Sequence, residues 1–353
     1  MEKKLIRKFD RENMFGVLKD FPLQVKEALK IAGKYSLKGF KTKDIRNIII
    51  SGLGGSAIGG DLIRSYTQYE IKIPVTVNRN YTLPSFAGKD TLVIISSYSG
   101  NTEETVAAYK QAVKAKCKIV CITSGGEIKK TAKKNKHHCV IIPGGLQPRC
   151  ALGYSFFALL TVFDKLGFIK DKKDEIKETL KILDEGREEF TNLNPENNVA
   201  LKVAIEIKGK MPLVYSSTDV LDVVNLRWRG QISENAKILA YGNVYPEMNH
   251  NELVGWQLNA DILKKTVVIF LKDIDDNDRI KHRMNITLDI IKEYANNIVT
   301  LESNGSSKLA RIFDLVYLGD WVSFYLAILN EVNPTPVEAI SYLKNKLEKI
   351  KSN

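Results

Sequence analysis

Three hydroxyls and a glycine crowd into Ser97-Tyr98-Ser99-Gly100-Asn101-Thr102, between a strand-like run, Thr91–Ser96, and a helix-like run, Glu103–Lys116. A helix N-terminus leaves backbone N–H groups unpaired and carries partial positive charge, so hydroxyls gathered there complete a cup for an anion of phosphate size. The ligand so implied is a phosphorylated small molecule. The competing interpretation is a plain helix cap, with Ser99 or Asn101 at the N-cap and Glu104 closing a capping box on Asn101. A second turn, Gly52-Leu53-Gly54-Gly55-Ser56-Ala57-Ile58-Gly59-Gly60, also follows a strand, Asn47–Ser51, and leads into a helix. Two such turns can clasp one polar ligand, which favours the cup.

Gly52, Gly54 and Ala57 also fit the glycine pattern of dinucleotide binding. That cofactor wants an acidic residue at the end of the second strand to hold the ribose hydroxyls. Here the strand Ile71–Val77 runs into Asn78-Arg79-Asn80. An arginine there suits a phosphorylated ribose, so NADP is disfavoured less strongly than NAD, and neither accounts for the hydroxyls at Ser97, Ser99 and Thr102. In the second half, Arg227-Trp228-Arg229-Gly230-Gln231-Ile232-Ser233-Glu234-Asn235-Ala236-Lys237 puts Glu234 near the end of a helix, directly before an apolar strand. An exposed carboxylate is the usual outcome there. His250, in Pro246-Glu247-Met248-Asn249-His250-Asn251-Glu252, stands at a helix start, where a lone histidine is often a cap.

The elements that must position these residues follow from length and patterning. A chain of 353 residues suits two domains, and its 44% hydrophobic content can fill two cores. No continuous apolar run reaches the length of a bilayer, and Met1-Glu2-Lys3-Lys4 precedes no signal-like apolar region, so a cytoplasmic protein with no membrane partner is expected. Cys117, Cys121, Cys139 and Cys150 lack zinc spacings and read as buried free thiols. The net charge of +12 raises the question of nucleic acid. The lysines, however, alternate with Glu and Asp along helices, as in Asp171–Lys181 and Lys344–Lys351, and read as solvated faces with no nucleic-acid partner.

Residues 1–40 read as a helical lead-in, with Phe15, Leu18, Phe21, Val25 and Leu29 at helical spacing. Short apolar strands then alternate with helices: Asn47–Leu53, Ile71–Val77, Thr91–Ser96, Cys117–Thr123 and Cys139–Ile142, with helices from near Ser56, Thr102, Glu127 and Ala151. That alternation specifies a parallel sheet covered on both faces, and ligands of such sheets bind beyond the carboxyl ends of the strands. After a polar connector, Lys170–Asn198, the alternation resumes with strands Met211–Tyr215, Lys237–Tyr241, Lys265–Leu271 and Asn297–Leu301, and helices Asp222–Asn235 and Asp276–Tyr294. A long apolar helix, Leu309–Leu329, and an amphipathic helix from Pro336 close the chain. The expected fold is α/β, two doubly wound parallel-sheet domains of similar plan with helical terminal segments: residues 1–40 helical, 41–170 the first, phosphate-binding domain, 171–198 a connector and 199–353 the second domain.

Taken together, Gly54-Gly55-Ser56, Ser97 to Thr102, Gln147-Pro148-Arg149, Gly230-Gln231-Ile232-Ser233-Glu234-Asn235 and Glu247-Met248-Asn249-His250-Asn251-Glu252 resemble the bifunctional phosphoglucose/phosphomannose isomerases. These carry two flavodoxin-like sugar isomerase domains within the phosphoglucose isomerase superfamily. The resemblance spans roughly residues 40–350, and its Glu and His segments are its most specific parts. It implies that Gly54, Gly55, Ser56, Ser97, Ser99 and Thr102 bind the substrate's phosphate end, Arg149 neutralises charge on an enediolate, Glu234 is the base, and His250 opens the sugar ring. Lys344, with Lys346 close by, resembles the family's C-terminal active-site lysine, and Thr335 the residue that makes room for the mannose epimer. The resemblance also implies hexose 6-phosphate substrates, a homodimer with His250 reaching into the partner's site, and a place in glycolysis and gluconeogenesis.

No cofactor is expected. An enediol route needs no metal, and the four histidines, at 137, 138, 250 and 282, offer no metal-binding trio. The competing functions are another sugar-phosphate isomerase of this fold, a non-catalytic sugar-phosphate-binding regulator, and an NADP-dependent reductase. The joint presence of Glu234, Arg149 and His250 favours an enzyme, because binding alone needs no base.

Overall fold

The computed structural model describes residues 1–347 and 349–350. The last residues of the expected second domain, 351–353, and part of the Lys344–Lys351 charge run lie outside them. Helices α1 (Lys3–Phe9), α2 (Met14–Lys19) and α3 (Phe21–Lys34) come first. The expected lead-in is thus three helices, because the Asp10 carboxylate accepts the N–H groups of Met14 and Phe15 and starts α2, and Pro22 lies in the first turn of α3.

The first unit runs β1 (Asn47–Ser51), α4 (Gly54–Thr67), β2 (Val75–Asn78), β3 (Thr91–Ser97), α5 (Glu103–Lys114), β4 (Lys118–Thr123), α6 (Gly126–Asn135), β5 (His138–Ile141) and α7 (Leu152–Lys165). Its sheet is parallel throughout, in the order β2-β1-β3-β4-β5. After α8 (Lys173–Phe190) and α9 (Val199–Ile207), the second unit runs β6 (Met211–Ser217), α10 (Asp222–Ala236), β7 (Tyr241–Tyr245), α11 (Ala260–Leu263), β8 (Thr266–Lys272), α12 (Asp278–Ile291) and β9 (Asn297–Glu302). This sheet is parallel in the order β7-β6-β8-β9, the same plan less one strand. The long α13 (Lys308–Leu329) and α14 (Glu338–Leu347) follow.

Strand periodicity distributes the core. Ile48, Ile50, Leu92 and Ile94 point to one face of the first sheet, and Val214, Val267 and Ile269 to one face of the second. Both faces look into a shared helical layer holding α3, α7, α10 and α13. The alternate residues, Ile49, Val93 and Ile95, meet α5 and α6 on the outside of the first sheet. Tyr215, Val268 and Phe270 meet α12 outside the second. Successive side chains of a strand point to opposite faces, so strands buried on both faces read as continuous apolar runs.

One strand lies elsewhere than the sequence suggests. Lys237–Tyr241 forms no strand; β7 begins only at Tyr241. α10 continues to Ala236 and is ended by Lys237 in the left-handed region, φ 60°, which turns the chain away and leaves Leu239 exposed. β2 likewise starts late, at Val75, because Ile71 bonds back to Thr67 behind α4. α13 is long and apolar enough to cross a membrane by length and composition, but Arg311, Asp314 and Asp320 interrupt it and it is the buried central helix of the protein. Gly319 lets it approach α10, since a Cβ there would lie 2.3 Å from the Trp228 indole nitrogen. All four cysteines are free thiols, but Cys139 is only half-buried.

Candidate active site

The carboxyl ends of the first sheet face the last turns of α10, and the space between them is a cleft of about 200 Å³. Arg227, Gly230, Gln231 and Glu234 line it from α10, Gly54 and Gly55 from the start of α4, and Arg79 and Arg149 from the loops beyond β2 and β5. The four α10 residues fall at i, i+3, i+4 and i+7, one stripe of a helix. α13 fixes that stripe from behind. Asp320, wholly buried, accepts Arg227 Nε at 3.0 Å, Arg227 Nη2 at 2.7 Å and Gln231 Nε2 at 2.9 Å. Burial pushes the Asp320 pKa up, and the Arg227 guanidinium and Gln231 oppose that shift.

Arg149 lies on a one-turn helix, Pro148–Cys150, and its side chain is 4% exposed. Gly55 makes this approach possible, because a Cβ there would stand 2.6 Å from the Pro148 carbonyl oxygen. The guanidinium donates from Nε to Asn235 Oδ1 at 2.6 Å, and from Nη2 to the carbonyls of Pro334 and Thr335, each at 2.8 Å. Nη1 meets Glu234 Oε2 at 3.4 Å. The Glu234 side chain is 34% exposed, so it is neither the free surface carboxylate usual at a helix end nor a fully buried one. Lys237 ties the same region together, donating to the carbonyls of Glu234, Pro334 and Pro336. Burial and the Arg149 charge lower its pKa. Burial also pushes the neighbouring Cys150 thiol up to about 11, so it stays protonated beside Arg149 at neutral pH.

The hydroxyl turn sits next door. Ser97 Oγ and Thr102 Oγ1 are 3.0 Å apart, Gly100 N–H donates to Ser97 Oγ at 3.2 Å, and Asn101 N–H donates to Ser99 Oγ at 3.2 Å. Ser56 Oγ accepts the Tyr98 N–H at 3.1 Å, which joins the glycine turn to the hydroxyl turn. The capping alternative does not form. Thr102 is the N-cap of α5 without a side-chain cap bond, and Asn101 Oδ1 instead accepts the Glu127 N–H at 2.9 Å, in the first turn of α6. The first N–H groups of α5 are therefore not capped by a side chain of the turn.

The fold thus brings together Gly54, Gly55, Arg149, Glu234 and, through its carbonyl, Thr335, with Ser56, Ser97, Ser99 and Thr102 adjoining. It does not bring His250 or Lys344 to this cleft within one chain. His250 is exposed at the end of a short turn, Glu247–His250, rather than at a helix start, and Lys344 is exposed on α14. Arg227 and Lys237 are parts of the site outside the family motifs, Gln231 and Asn235 lay within one without an assigned role, and Arg79 was weighed only for a phosphorylated ribose. For the α10 residues, helical spacing from Glu234 was the available signal.

Comparison with known proteins shows the family. The family model for the bacterial phosphoglucose isomerase C-terminal SIS domain matches residues 196–347, and that for the SIS domain matches residues 42–166. A bifunctional phosphoglucose/phosphomannose isomerase of Caldicellulosiruptor bescii is 46% identical over 96% of this chain and 100% of its own. The chain belongs to the bifunctional phosphoglucose/phosphomannose isomerase family. A family member from Aquifex aeolicus is 37% identical, covering 86% of this chain and 91% of that one. Among solved structures, a hypothetical protein of Thermus thermophilus superposes with a TM-score of 0.74 at 15% identity, over 99% of this chain and 94% of that one. At that identity the likeness speaks for the two-sheet fold of this isomerase family alone.

Proposed function

We propose that this protein is an isomerase that converts glucose 6-phosphate and mannose 6-phosphate reversibly to fructose 6-phosphate through a cis-enediol(ate). The observation that carries the reading is the meeting of Glu234 with Arg149 at 3.4 Å, in a cleft lined by Gly54 and Gly55, whose neighbour Ser56 bonds the hydroxyl turn at Tyr98 N–H. The phosphate sits at the start of α5 among Ser97, Ser99 and Thr102, with Ser56 bracing the turn from α4. Glu234 takes the proton from C2 of the open-chain aldose and returns it to C1, while O1 gains a proton and O2 gives one up. The charge on the intervening oxygens exists only between the two steps, and a guanidinium held rigidly beside it lowers the barrier. Glucose and mannose 6-phosphates differ only at C2, and the planar intermediate erases that difference. One carboxylate can then serve both, with Thr335 shaping the room for either epimer.

The ring must open before C2 becomes acidic, and His250 is the imidazole assigned to that step. Because it is exposed and stands outside this chain's own cleft, we assign it to the cleft of a second copy in a homodimer. Lys344, with Lys346 beside it, is assigned to the ring oxygen on the same grounds. Phosphorylated substrates and four free thiols support a cytoplasmic location.

The test is formation of fructose 6-phosphate from each hexose 6-phosphate in the presence of a chelator. Turnover of both supports the reading; turnover of neither, with sugar-phosphate binding intact, would leave a regulator instead. For the dimer, Glu234→Gln and His250→Ala subunits, each inactive alone, should regain part of the activity when mixed. No rescue in a verified heterodimer would mean that each subunit uses its own histidine.

A further inference from the structure

Arg149 is the cation expected beside the reacting oxygens, and its donors are largely spent on the protein. A guanidinium carries five N–H groups in a fixed fork. Nε of Arg149 goes to Asn235, both protons of Nη2 go to the carbonyls of Pro334 and Thr335, and Nη1 faces Glu234. A single N–H is left for an outside oxygen. Its charge and rigidity remain useful, but it cannot grip two oxygens of a substrate at once.

A second guanidinium lines the same cleft. Arg79 follows β2 directly and lines the cleft together with Glu234. Its Nη1 donates to Asp61 Oδ1 at 3.3 Å and its Nη2 to Asp61 Oδ2, which leaves three of the five N–H groups uncommitted. The Asp61 side chain, on α4, is 10% exposed, whereas that of Arg79 is 39% exposed. The carboxylate therefore holds the fork from the protein side and leaves its open side to the cleft. β2 and β3 flank β1, so Arg79 and the hydroxyl turn after β3 are about two strand spacings, roughly 9–10 Å, apart. An open-chain hexose with its phosphate in the hydroxyl turn reaches across that gap with its C1 end.

We propose that Arg79 is a further catalytic residue of this site, donating hydrogen bonds to O1 and O2 of the substrate as negative charge develops there, and that Asp61 is the positioning residue that aims it. The proposal rests on the isomerase reading. Arg149 then supplies fixed charge beside Glu234, and Arg79 supplies the free donors.

The experiment compares the full-length wild type with Arg79→Gln, Arg79→Lys and Asp61→Asn. Steady-state kinetics on fructose 6-phosphate are read together with the Kd of 5-phospho-arabinonate, whose carboxylate places two oxygens where the enediolate carries its charge. Arg79→Gln should lower kcat on the order of 10²-fold with little change in KM, as for loss of an oxyanion donor, and should weaken the analogue by a similar factor. Arg79→Lys should recover part of both, and Asp61→Asn should fall between. Melting temperatures identify any variant that fails to fold, and for such a variant the other two decide. A wild type without isomerase activity overturns the isomerase reading. A wild type that isomerises while folded Arg79 variants keep its kcat and analogue affinity, or change KM alone, overturns the role of Arg79.

Discussion

β3 and β8 hold the same place in their sheets, each the neighbour of its unit's first strand, yet the turns that follow them are filled differently. After β3 the chain offers the hydroxyls of Ser97, Ser99 and Thr102 and the uncapped start of α5. After β8 it offers its own carboxylates. Asp273 is 0% exposed at its side chain and receives Arg311 Nε of α13 at 2.9 Å, Ser303 Oγ at 2.7 Å and the Asp275 N–H at 2.9 Å. Asp276 folds back onto the Asp273 N–H at 2.9 Å, and burial raises its pKa. One turn leaves room for an anion from outside, and the other has an anion built in and neutralised. The two units share a backbone plan, and under the proposed reading the first offers the binding face while the second carries Glu234 to it. A parallel sheet directs its loops to one end, and nothing in that plan dictates what the loops contain.

The comparison breaks first where the built-in charge is removed. Asp273→Ala should destabilise the fold by about 3–5 kcal/mol, because Arg311 would stay buried with its main partner gone. Denaturant unfolding measures this, and sugar-phosphate affinity of the remaining folded protein should be unchanged. A stability equal to the wild type would mean that exposed Asp275, which also binds Arg311, carries the pair by itself.

Glu234→Gln tests what the supporting unit delivers. It should keep the fold and sugar-phosphate binding while lowering turnover of both epimers by at least about 10²-fold. Exchange of the C2 proton with solvent deuterium is the discriminating measurement, and near-normal exchange in the variant would assign the base elsewhere.

The hydroxyl turn should behave in the opposite sense to Asp273. Replacing Ser97, Ser99 or Thr102 with alanine should weaken sugar-phosphate binding on the order of 1.5–3 kcal/mol each and leave the unfolding midpoint nearly in place. Calorimetry on the three single variants reads it directly; undiminished affinity in all three would sink the cup.

The smallest effect is on pH dependence. Burial raises the Asp314 carboxyl of α13 to about 6, against bonds from Asn304 that pull it down. An unfolded aspartate titrates near 3.9, so the folded state holds the proton more tightly. The stabilisation is present in full below about pH 4 and is lost as pH rises through about 6. Urea midpoints of the wild type and Asp314→Asn should therefore diverge between pH 4 and 7, with the wild type losing ground as pH rises. A constant difference across that range would show that Asp314 does not titrate there.

Much of this architecture was legible from the chain. The runs around Ile49, Val93 and Val120 announced strands buried on both faces, and both glycine-bearing turns stood where binding loops must stand. The strand after α10 was placed too early because Ile238-Leu239-Ala240 is apolar enough for a strand, and only the turn at Lys237 shows that the sheet lies further on. The capping reading failed for a similar reason: Asn101 found its partner 26 residues away, at Glu127, rather than along its own helix. Arg79 was read only as a partner for a phosphorylated ribose, since a residue just past a strand joins a site only if the neighbouring loops converge on it.

Local rules act over a few residues, so the sequence by itself settled periodicity, the kind of sheet and the gathering of hydroxyls in the turn after β3. Which residues confront one another was decided by packing. Glu234 and Arg149 are 85 residues apart, and Arg149 and Thr335 are 186 apart. They meet because Gly319 admits α10 against α13 and Gly55 admits the Pro148–Cys150 turn against α4. Close approach of this kind depends on shape complementarity between elements distant in sequence, which no local pattern of residues encodes.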